Sequence, residues 1–276
     1  MIIQRIATLE LAGLEPYRTL RRPVEHHRQG VFVAEGEKVV RRLLESTLEV
    51  SSLLMTPEWF ESLRPVLESR SVEVFVAPKA EVETIVGFPL HQGIMALGKV
   101  PAERSLTETL AGVPHPLLLV AMDGLTNSEN IGILVRNSVA FGVHAIIVGE
   151  TSSSPYLRRA VRNSMGAVFQ IPVIHSHHLG DTLTVLRSKF GTRVLAAHPA
   201  GGQDLTSADF RGHCCLVLGS EGEGISNSVL QSCDAAISLR MENGVDSLNV
   251  GSASAVFLYE AVRQREGKDP KAGIGE

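Results

Sequence analysis

The chain has little of what marks a secreted or membrane protein. It holds only three cysteines in 276 residues, an odd number that cannot all pair within one chain. Cys214 and Cys215 are neighbours in a predicted strand, so their side chains point to opposite faces and make poor disulfide partners. No apolar run reaches the roughly 18 residues of a membrane span, and the first residues lack the apolar core of a signal peptide. We therefore predict a cytoplasmic protein with reduced, partly buried thiols and no membrane association.

An excess of positive charge is also missing. The formal net charge is −4 at pH 7, which argues against a protein that coats nucleic acid through charge alone. Two local clusters of arginine stand out against this background. The segment 17–28 carries four arginines against one glutamate, and the segment 157–162 carries three arginines and no acid. One such cluster would suit a solvated helix face, but two of them together favour a partner that bears phosphate groups.

Several familiar catalytic motifs are absent. The loop after Leu218 is rich in glycine, but its sequence G-S-E-G-E-G does not match the G-x-G-x-x-G of dinucleotide-binding folds. No Gly-Lys-Ser/Thr tripeptide occurs for a phosphate-binding loop, and Glu221 and Glu223 would repel a pyrophosphate. No G-x-S-x-G elbow supports a serine hydrolase. The histidines near His175 lack cysteine or carboxylate neighbours at ligand spacing, so we expect no metal site.

The first 100 residues alternate between strand and helix patterns. Short apolar runs predict strands at 31–34, 51–55, 72–76 and 93–97, and helical patterns lie between them at 37–48, 57–67 and 80–85. This alternation predicts a small α/β domain over residues 1–100. The segment 101–116 contains three prolines and is interpreted as a linker, which leaves 117–276 as a second α/β domain.

The second domain alternates in the same way, with strands predicted at 117–121, 145–148, 170–174 and 193–197 and helices at 130–141 and about 179–190. It also contains the most informative stretch, Leu216–Glu260. A strand at 216–218 opens into the glycine-rich loop, and a second strand at 235–239 opens into a polar turn at 242–247 before a helix that begins near Leu248. Open α/β sheets bind ligands at the carboxyl ends of their strands. Because the first loop carries two acids and no base, it suits a ligand of neutral or positive character.

A second informative stretch lies upstream, at Asn127–Asn137, with the sequence N-S-E-N-I-G-I-L-V-R-N. Asn130 falls at the predicted start of a helix, where the plain alternative is an N-cap. Arg136 lies in an otherwise apolar helix, where the alternatives are a solvated side chain or a charge that requires a partner. Six residues separate the two, so their side chains point along different faces of the helix.

Three segments, taken in this order, resemble the motifs of the SpoU (TrmH-type) ribose 2′-O-methyltransferases of the SPOUT superfamily. They are NSENIGILVRNSVAFGV, LVLGSEGEGIS and ISLRMENGVDSLNVGSASAVFLYE, and with the intervening RRAVRNSMGAVFQIPV they cover essentially all of residues 117–260. The N-terminal segments FVAEGEKVVRRLLES and FPLHQGIMAL are similar to a small ribosomal-protein-like RNA-binding domain that many members carry.

The resemblance implies an α/β fold whose C-terminal parallel sheet is tied into a trefoil knot, together with a smaller N-terminal α/β RNA-binding domain. It implies transfer of a methyl group from S-adenosyl-L-methionine to a ribose 2′-hydroxyl of RNA by a homodimer. Ribosomal RNA is the expected substrate. The alternatives are tRNA, an antibiotic-resistance site in rRNA, and a catalytically inactive RNA-binding member.

The residues that match the family motifs form two groups. The implied catalytic residues are Asn130, Arg136, Glu221, Ser247 and Asn249. The implied cofactor contacts are made by main-chain groups of Gly219, Leu239 and Leu248. We expect Arg136 to bind a phosphate and stabilise developing negative charge, since guanidinium is a poor base. Arg240 stands where the family usually has proline, which leaves two alternatives, a differently shaped cofactor loop or an arginine that contacts RNA.

Overall fold

The computed structural model describes residues 2–5, 11–90, 92–199 and 202–266. The chain divides into two compact units. The first combines residues 1–102 with 156–170, and the second combines residues 103–155 with 171–276. A short segment from the second half of the sequence thus belongs with the first half. Nothing in the sequence pattern indicated this excursion.

The first unit is built on a sheet whose strands are separated by helices. Its strands are β1 (Ile2–Arg5), β2 (Val31–Glu35), β3 (Val50–Met55), β4 (Glu73–Val76) and β5 (Ile94–Lys99). Its helices, numbered in chain order over the whole protein, are α1 (Glu15–Arg18), α2 (Pro23–Gln29), α3 (Glu37–Glu45), α4 (Pro57–Leu67), α5 (Lys79–Val86) and α8 (Arg158–Asn163), with short 3-10 turns at Ala12–Leu14 and Ala167–Gln170.

The sheet of the first unit is mixed. Its strand order is β1-β4-β3-β5-β2, in which β4 pairs parallel with β1 and β3, while β5 pairs antiparallel with β2 and β3. Helix α3 buries Val39, Val40, Leu43 and Leu44, the stripe expected of an amphipathic helix. The predicted strands and helices of this half are present. β1 was not predicted, because four residues carry no periodicity that distinguishes a strand.

The second unit contains the remaining elements. Its strands are β6 (Leu118–Asp123), β7 (Ala145–Val148), β8 (Val173–His175), β9 (Arg193–Ala197), β10 (Gln203–Asp204), β11 (Cys214–Gly219) and β12 (Ala235–Ser238). Its helices are α6 (Leu106–Leu110), α7 (Ser128–Ala140), α9 (Leu179–Phe190), α10 (Asn227–Leu230) and α11 (Val250–Arg265), with a 3-10 turn at Leu205–Ser207.

The sheet of the second unit is parallel throughout. Its order is β10-β12-β9-β11-β6-β7-β8, and each neighbouring pair runs in the same direction. β6 is buried along its whole length, as expected for a strand covered on both faces. The predicted α/β fold with a parallel sheet is confirmed. Because the strands are parallel, their carboxyl ends lie at one edge, where Asp123 of β6 pairs with Gly219 of β11.

Two segments of the second half differ from their predicted form. A strand was predicted at 170–174, but the strand is Val173–His175, preceded by the turn Ala167–Gln170. Pro172 lies between the turn and the strand. It has no N–H group to donate to the neighbouring strand, although its carbonyl accepts a hydrogen bond from Ile146 N at 3.0 Å. In the predicted linker, α6 begins with a capping box formed by Ser105 and Glu108 and buries Leu110 in the core of the second unit.

Two expectations drawn from what the sequence lacks concern cysteines and membrane spans. All three cysteines are free, with Cys214 and Cys215 buried. Burial raises the pKa of both thiols and brings the pKa of Cys233 to about 12, so all three are poorly reactive. Of the helices in the described ranges, none combines the length and the hydropathy needed to cross a bilayer.

Two histidines accept main-chain hydrogen bonds at the start of β6. Leu117 N donates to Nδ1 of His213 at 3.2 Å, and Leu118 N donates to Nδ1 of His144 at 3.0 Å. Partial burial lowers the pKa of both histidines, and the guanidinium of Arg265 contributes to the lowering. Both contacts need a neutral imidazole, since a protonated ring has no free acceptor nitrogen.

We expect stability to fall as the pH drops below 6.5, the ordinary pKa of histidine. In that range the two histidines are protonated in the unfolded chain but stay neutral in the folded chain. The free energy of unfolding therefore decreases with falling pH. Urea denaturation of the wild type and of a His144→Asn/His213→Asn variant between pH 5.5 and 7.5 tests this. The variant is expected to show a shallower pH dependence, while exposed His27→Asn keeps the wild-type slope. Equal slopes for all three proteins would refute it.

Candidate active site

The glycine-rich loop, residues 219–225, closes on itself at the carboxyl end of β11. Ser220 and Gly224 exchange two main-chain hydrogen bonds, each of 3.0 Å. The side-chain oxygen of Ser220 accepts a third hydrogen bond within the loop, from Glu223 N at 3.1 Å. Glu221 lies at the exposed tip of this turn. The loop thus presents a carboxylate on a well-braced backbone.

Gly219, one of the residues predicted to contact the cofactor, is required by the packing of this loop. A Cβ atom there would lie 2.3 Å from the carbonyl carbon of Gly224 and 2.5 Å from Ile225 N. No side chain fits at those distances, so the close approach of the two backbone segments depends on glycine.

Replacing Gly219 by alanine should therefore force the loop open. We expect a loss of about 1–3 kcal/mol in unfolding free energy, the range for overpacking, together with weaker cofactor binding. Gly222→Ala is the matched control in the same loop, because a Cβ atom at Gly222 meets nothing within 4 Å. Urea denaturation and calorimetry with S-adenosylmethionine measure both effects. Comparable behaviour of the two variants would contradict the proposed role of the close approach.

Asp123, at the end of β6, links three loops at this edge. Its buried carboxylate accepts from Ser226 N at 2.7 Å, just after the glycine-rich loop, and from Thr151 Oγ1 at 3.5 Å, after β7. Asp123 was not among the residues predicted for the site. A carboxylate directly after a strongly apolar strand was the signal that could have found it.

Helix α7 begins earlier than predicted, and Asn127 caps it. Asn127 Oδ1 accepts from Glu129 N at 2.8 Å and from Asn130 N at 3.4 Å. The alternative that Asn130 is an N-cap is therefore wrong. Asn130 lies inside the first helical turn with its side chain buried, which leaves its amide oxygen available to another element.

Asn249 joins three segments of the sheet edge. Its Oδ1 accepts from Gly251 N at 2.8 Å and so caps α11. Because the oxygen is used in this way, the Nδ2 group faces two other acceptors. It donates to Oδ1 of Asn130 at 2.9 Å and to Oε1 of Glu221. Three of the five predicted catalytic residues thus form one hydrogen-bonded cluster, here called the amide–carboxylate cluster.

A further asparagine holds α7 against α11. Asn137 Nδ2 donates to the carbonyl of Gly251 at 2.8 Å and to Ser254 Oγ at 3.0 Å. Asn137 lies seven residues after Asn130, so both face the same side of α7. Asn137 was not among the predicted site residues, since the spacing of apolar residues along the helix does not distinguish it from a polar surface residue.

Arg136 and Ser247 lie outside the amide–carboxylate cluster. Arg136 is exposed, and no residue of the described ranges forms an ion pair with it. The helix turns this position towards solvent, so the charge of Arg136 needs no partner from among the described residues. Ser247 is exposed in the segment that leads to α11.

Leu239 and Leu248 bracket the polar turn after β12. Asn243 and Gly244 both have positive φ, 57° and 74°, as a type I′ turn requires, and Val245 N donates to Glu242 O at 3.3 Å. Leu239 is half-buried and Leu248 is exposed.

Arg240, the residue that departs from the family pattern, lies at the start of this turn. Its side chain is exposed and pairs with Glu242 at 3.2 Å. A guanidinium at the surface is available to RNA, and the turn itself is regular.

Comparison with known proteins gives the family. The model of the SpoU rRNA Methylase family matches residues 117–259. The 23S rRNA (guanosine-2′-O-)-methyltransferase RlmB of Ralstonia nicotianae is 36% identical over 199 residues, which are 72% of this chain and 80% of that protein. The protein of the same name from Escherichia coli is 34% identical over 204 residues, 72% of this chain and 82% of its own.

A solved structure agrees over nearly the whole chain. The SpoU methyltransferase AviRb from Streptomyces viridochromogenes, in complex with the cofactor AdoMet, has a TM-score of 0.83 and 25% identity. The match covers 94% of this chain and 100% of that one. The protein is thus an α/β methyltransferase in fold, and the chain belongs to the SpoU rRNA methylase family. The resemblance predicted from three ordered motifs is confirmed.

Proposed function

We propose that this protein transfers a methyl group from S-adenosylmethionine to a ribose 2′-hydroxyl of ribosomal RNA. The observation that carries the proposal is the amide–carboxylate cluster of Asn130, Glu221 and Asn249. Each of these residues comes from a different family motif, and together they lie at the carboxyl edge of a parallel sheet, where α/β folds bind ligands.

The residues present suit a cationic cofactor. The loops after β11 and β12 offer main-chain groups, and the glycine-rich loop carries carboxylates and no basic side chain. Glu221 is exposed and fixed by Asn249, so it places negative charge where a positively charged ligand would be attracted. Gly219, Leu239 and Leu248 are the proposed main-chain contacts. When bound, S-adenosylmethionine supplies an electrophilic methyl group on a positively charged sulfur.

The chain's own residues would then position and polarise the RNA. In-line displacement needs alignment of the ribose hydroxyl with the methyl carbon, and such positioning is worth several powers of ten in rate. We assign Arg136 to the phosphate beside the reacting ribose, where its permanent charge stabilises the negative charge that develops on the oxygen. Ser247 is exposed and lies two residues before Asn249 in the sequence. We propose that its side chain contacts the ribose hydroxyl of the RNA.

A homodimer is part of the proposal. Helices α7 and α11 pack together and leave several apolar side chains partly exposed, with Ile133 39%, Val256 40% and Tyr259 59% exposed. Val256 and Tyr259 are three residues apart, as are Ile133 and Arg136, so each pair shares one helix face. A second copy covering these faces would bury the apolar groups and give Arg136 an environment that a single chain does not supply.

The finer assignments rest on family membership. We propose that residues 1–100, with the excursion 156–170 that belongs to the same compact unit, form the RNA-binding domain, and that the rest of 117–276 forms the catalytic domain and its trefoil knot. We also propose that rRNA is preferred over tRNA. The relatives named as 23S rRNA methyltransferases support the rRNA preference, since their matches extend over 72% of this chain.

Methyl transfer from tritiated S-adenosylmethionine to purified RNA tests the activity. We expect label to enter 23S rRNA that lacks the native modification and to leave tRNA unlabelled. Calorimetry with S-adenosylmethionine runs alongside. Absence of both label and cofactor binding would overturn the proposal in favour of an inactive RNA-binding protein, and label in tRNA alone would overturn the rRNA assignment.

A further inference from the structure

A pocket lies in the first unit and shares no residue with the amide–carboxylate cluster. Its volume is about 250 Å³, and it is lined by Glu35, Phe88, Pro89, Arg158, Arg159 and Arg162. The arginines come from α8, in the excursion 156–170, and the remaining residues come from β2 and the segment after α5. All of them belong to the same compact unit.

The excursion is anchored firmly enough to shape a site. The rings of Tyr156 and Phe169, near its two ends, pack on Phe32 of β2 with centroids 5.4 and 5.3 Å away. Both aromatic side chains of the excursion are buried. Helix α8 is therefore held against the sheet at both ends, and the positions of its arginines follow from this packing.

The pocket has an excess of positive charge that it cannot neutralise internally. Glu35 is the single acid of the lining, and its carboxylate binds Arg158 at 2.6 Å and Arg162 at 3.4 Å. Three guanidinium groups against one carboxylate leave two positive charges. The Glu35 side chain is only 10% exposed, so it acts as an internal brace for Arg158.

Phe88 brings together the two arginine clusters that the sequence showed separately. The guanidinium carbon of Arg158 lies 4.9 Å from the centre of the Phe88 ring, within the range of a cation–π contact. That of Arg21, from the N-terminal cluster, lies at 6.0 Å, and Arg21 Nη2 donates to the carbonyl of Gly87 at 3.3 Å. Arg21 therefore adds a further positive charge at the border of the pocket, beside the two that Glu35 leaves without a counter-charge.

Two of the arginines are available to a ligand. Arg159 is exposed, and within the described ranges no acid pairs with its guanidinium. Arg162 is 59% exposed, and its one ion pair among the described residues is the 3.4 Å contact with Glu35. They are three residues apart on α8, so their side chains emerge on the same side of the helix. Two adjacent guanidiniums beside a braced third one are suited to phosphate oxygens, which arginine binds in a bidentate manner.

We propose that this pocket, which shares no residue with the amide–carboxylate cluster, binds the phosphate backbone of the RNA substrate. Arg159 and Arg162 contact phosphate oxygens directly, while Glu35 and Phe88 hold Arg158 in place beside them. The site contacts phosphates and not bases, so it does not recognise sequence. It strengthens RNA binding and fixes the position of the enzyme along the RNA. This inference rests on the proposed RNA methyltransferase function.

An Arg159→Gln/Arg162→Gln variant tests the site with an in vitro transcript of 23S rRNA as the probe. We expect binding to weaken at least about tenfold, with the slope of log K against log salt reduced by about one to two, since each lost phosphate contact removes part of the counterion release. The KM for RNA should rise similarly, while kcat and the affinity for S-adenosylmethionine stay within about twofold.

Matched variants separate charge from folding. Arg64→Gln removes the same kind of charge from α4 of the same unit, outside the pocket, and should leave binding unchanged. Arg159→Lys/Arg162→Lys keeps the charges and should retain most of the salt dependence. An unchanged KM and salt slope in the double glutamine variant of an active enzyme would overturn the phosphate site alone. A wild type that transfers no methyl group to any RNA would instead overturn the proposed function.

Discussion

Replacing Arg136 by alanine is expected to abolish methyl transfer while leaving the cofactor site intact. We expect kcat/KM for RNA to fall at least about 100-fold, the usual cost of removing a group that stabilises transition-state charge. The affinity for S-adenosylmethionine should change by less than about threefold, because a lost interaction with the transition state alone leaves ground-state binding unaffected. The physical basis is that Arg136 lies outside the amide–carboxylate cluster, on an exposed face of α7.

Three measurements define this prediction: methyl transfer to 23S rRNA, calorimetry with the cofactor, and urea denaturation. Arg136→Lys keeps the charge but not the planar fork, so its activity should be intermediate. Arg211→Ala is the control, since Arg211 is an exposed arginine of the same unit that pairs with its near neighbour Asp209. An Arg136→Ala enzyme as active as the wild type would remove Arg136 from the site.

Mixing Arg136→Ala with Asn249→Ala, at an S-adenosylmethionine concentration that saturates the wild type but leaves the Asn249 variant largely without cofactor, tells whether Arg136 acts across the proposed dimer. If it does, a mixed dimer of Arg136→Ala and Asn249→Ala contains one complete site, built from the intact Asn249 of one copy and the intact Arg136 of the other. Random exchange of subunits should then restore about a quarter of wild-type activity, because half the dimers are mixed and each has one working site of two. If Arg136 acts within its own chain, both subunits of every mixed dimer are damaged and no activity returns.

The second large effect is expected at Asn249. Asn249→Ala removes the cap of α11 and both side-chain links, to Asn130 and to Glu221. Loss of the cap should cost about 1 kcal/mol of unfolding free energy. Loss of the links should release Glu221 and weaken S-adenosylmethionine binding at least about tenfold, since a binding group that is no longer held in place must be ordered on binding.

Asn249→Ser distinguishes these two roles. Serine caps a helix about as well as asparagine, but it has no amide to donate to Asn130 and Glu221. We expect this variant to recover the stability of the wild type in urea denaturation and to bind the cofactor as poorly as the alanine variant in calorimetry. Wild-type cofactor affinity in Asn249→Ser would reduce Asn249 to a helix cap.

Much of the fold followed from pattern alone. Helix α4 and helix α9 begin and end at the predicted residues, as do β7 and β9, because strong periodicity and clear end signals coincide there. The errors have local causes. Asn127 and not Asn130 caps α7. Both are asparagines near the start of the apolar pattern, and the sequence does not show which of the two caps the helix. Pro172 delayed the start of β8.

The candidate site was predicted in part. The parallel sheet brings Asn130, Glu221 and Asn249 together, and each of the three is identified in the sequence by a different motif. Asp123 and Asn137 escaped selection because their roles depend on elements far away in sequence, Ser226 and Gly251. The catalytic roles of Asn130, Arg136, Glu221, Ser247 and Asn249 stay predictions, and so do the cofactor contacts of Gly219, Leu239 and Leu248.

The packing of residues 156–170 was beyond sequence reasoning. The arginine cluster of α8 was visible as composition, but its contact with Glu35 and Phe88 joins positions more than 60 residues apart. Only the folded chain shows that one carboxylate and one aromatic ring brace it.

Mapping ribose methylation in 23S rRNA tests the central claim most directly. Total RNA from a strain that lacks the gene is compared with RNA from the same strain carrying the wild-type or the Arg136→Ala gene. We predict a single 2′-O-methylated nucleotide that disappears on deletion, returns with the wild-type gene and does not return with the variant. A pattern of ribose methylation that is identical in all three strains, or a lost methyl group that proves to be on a base, would contradict the account.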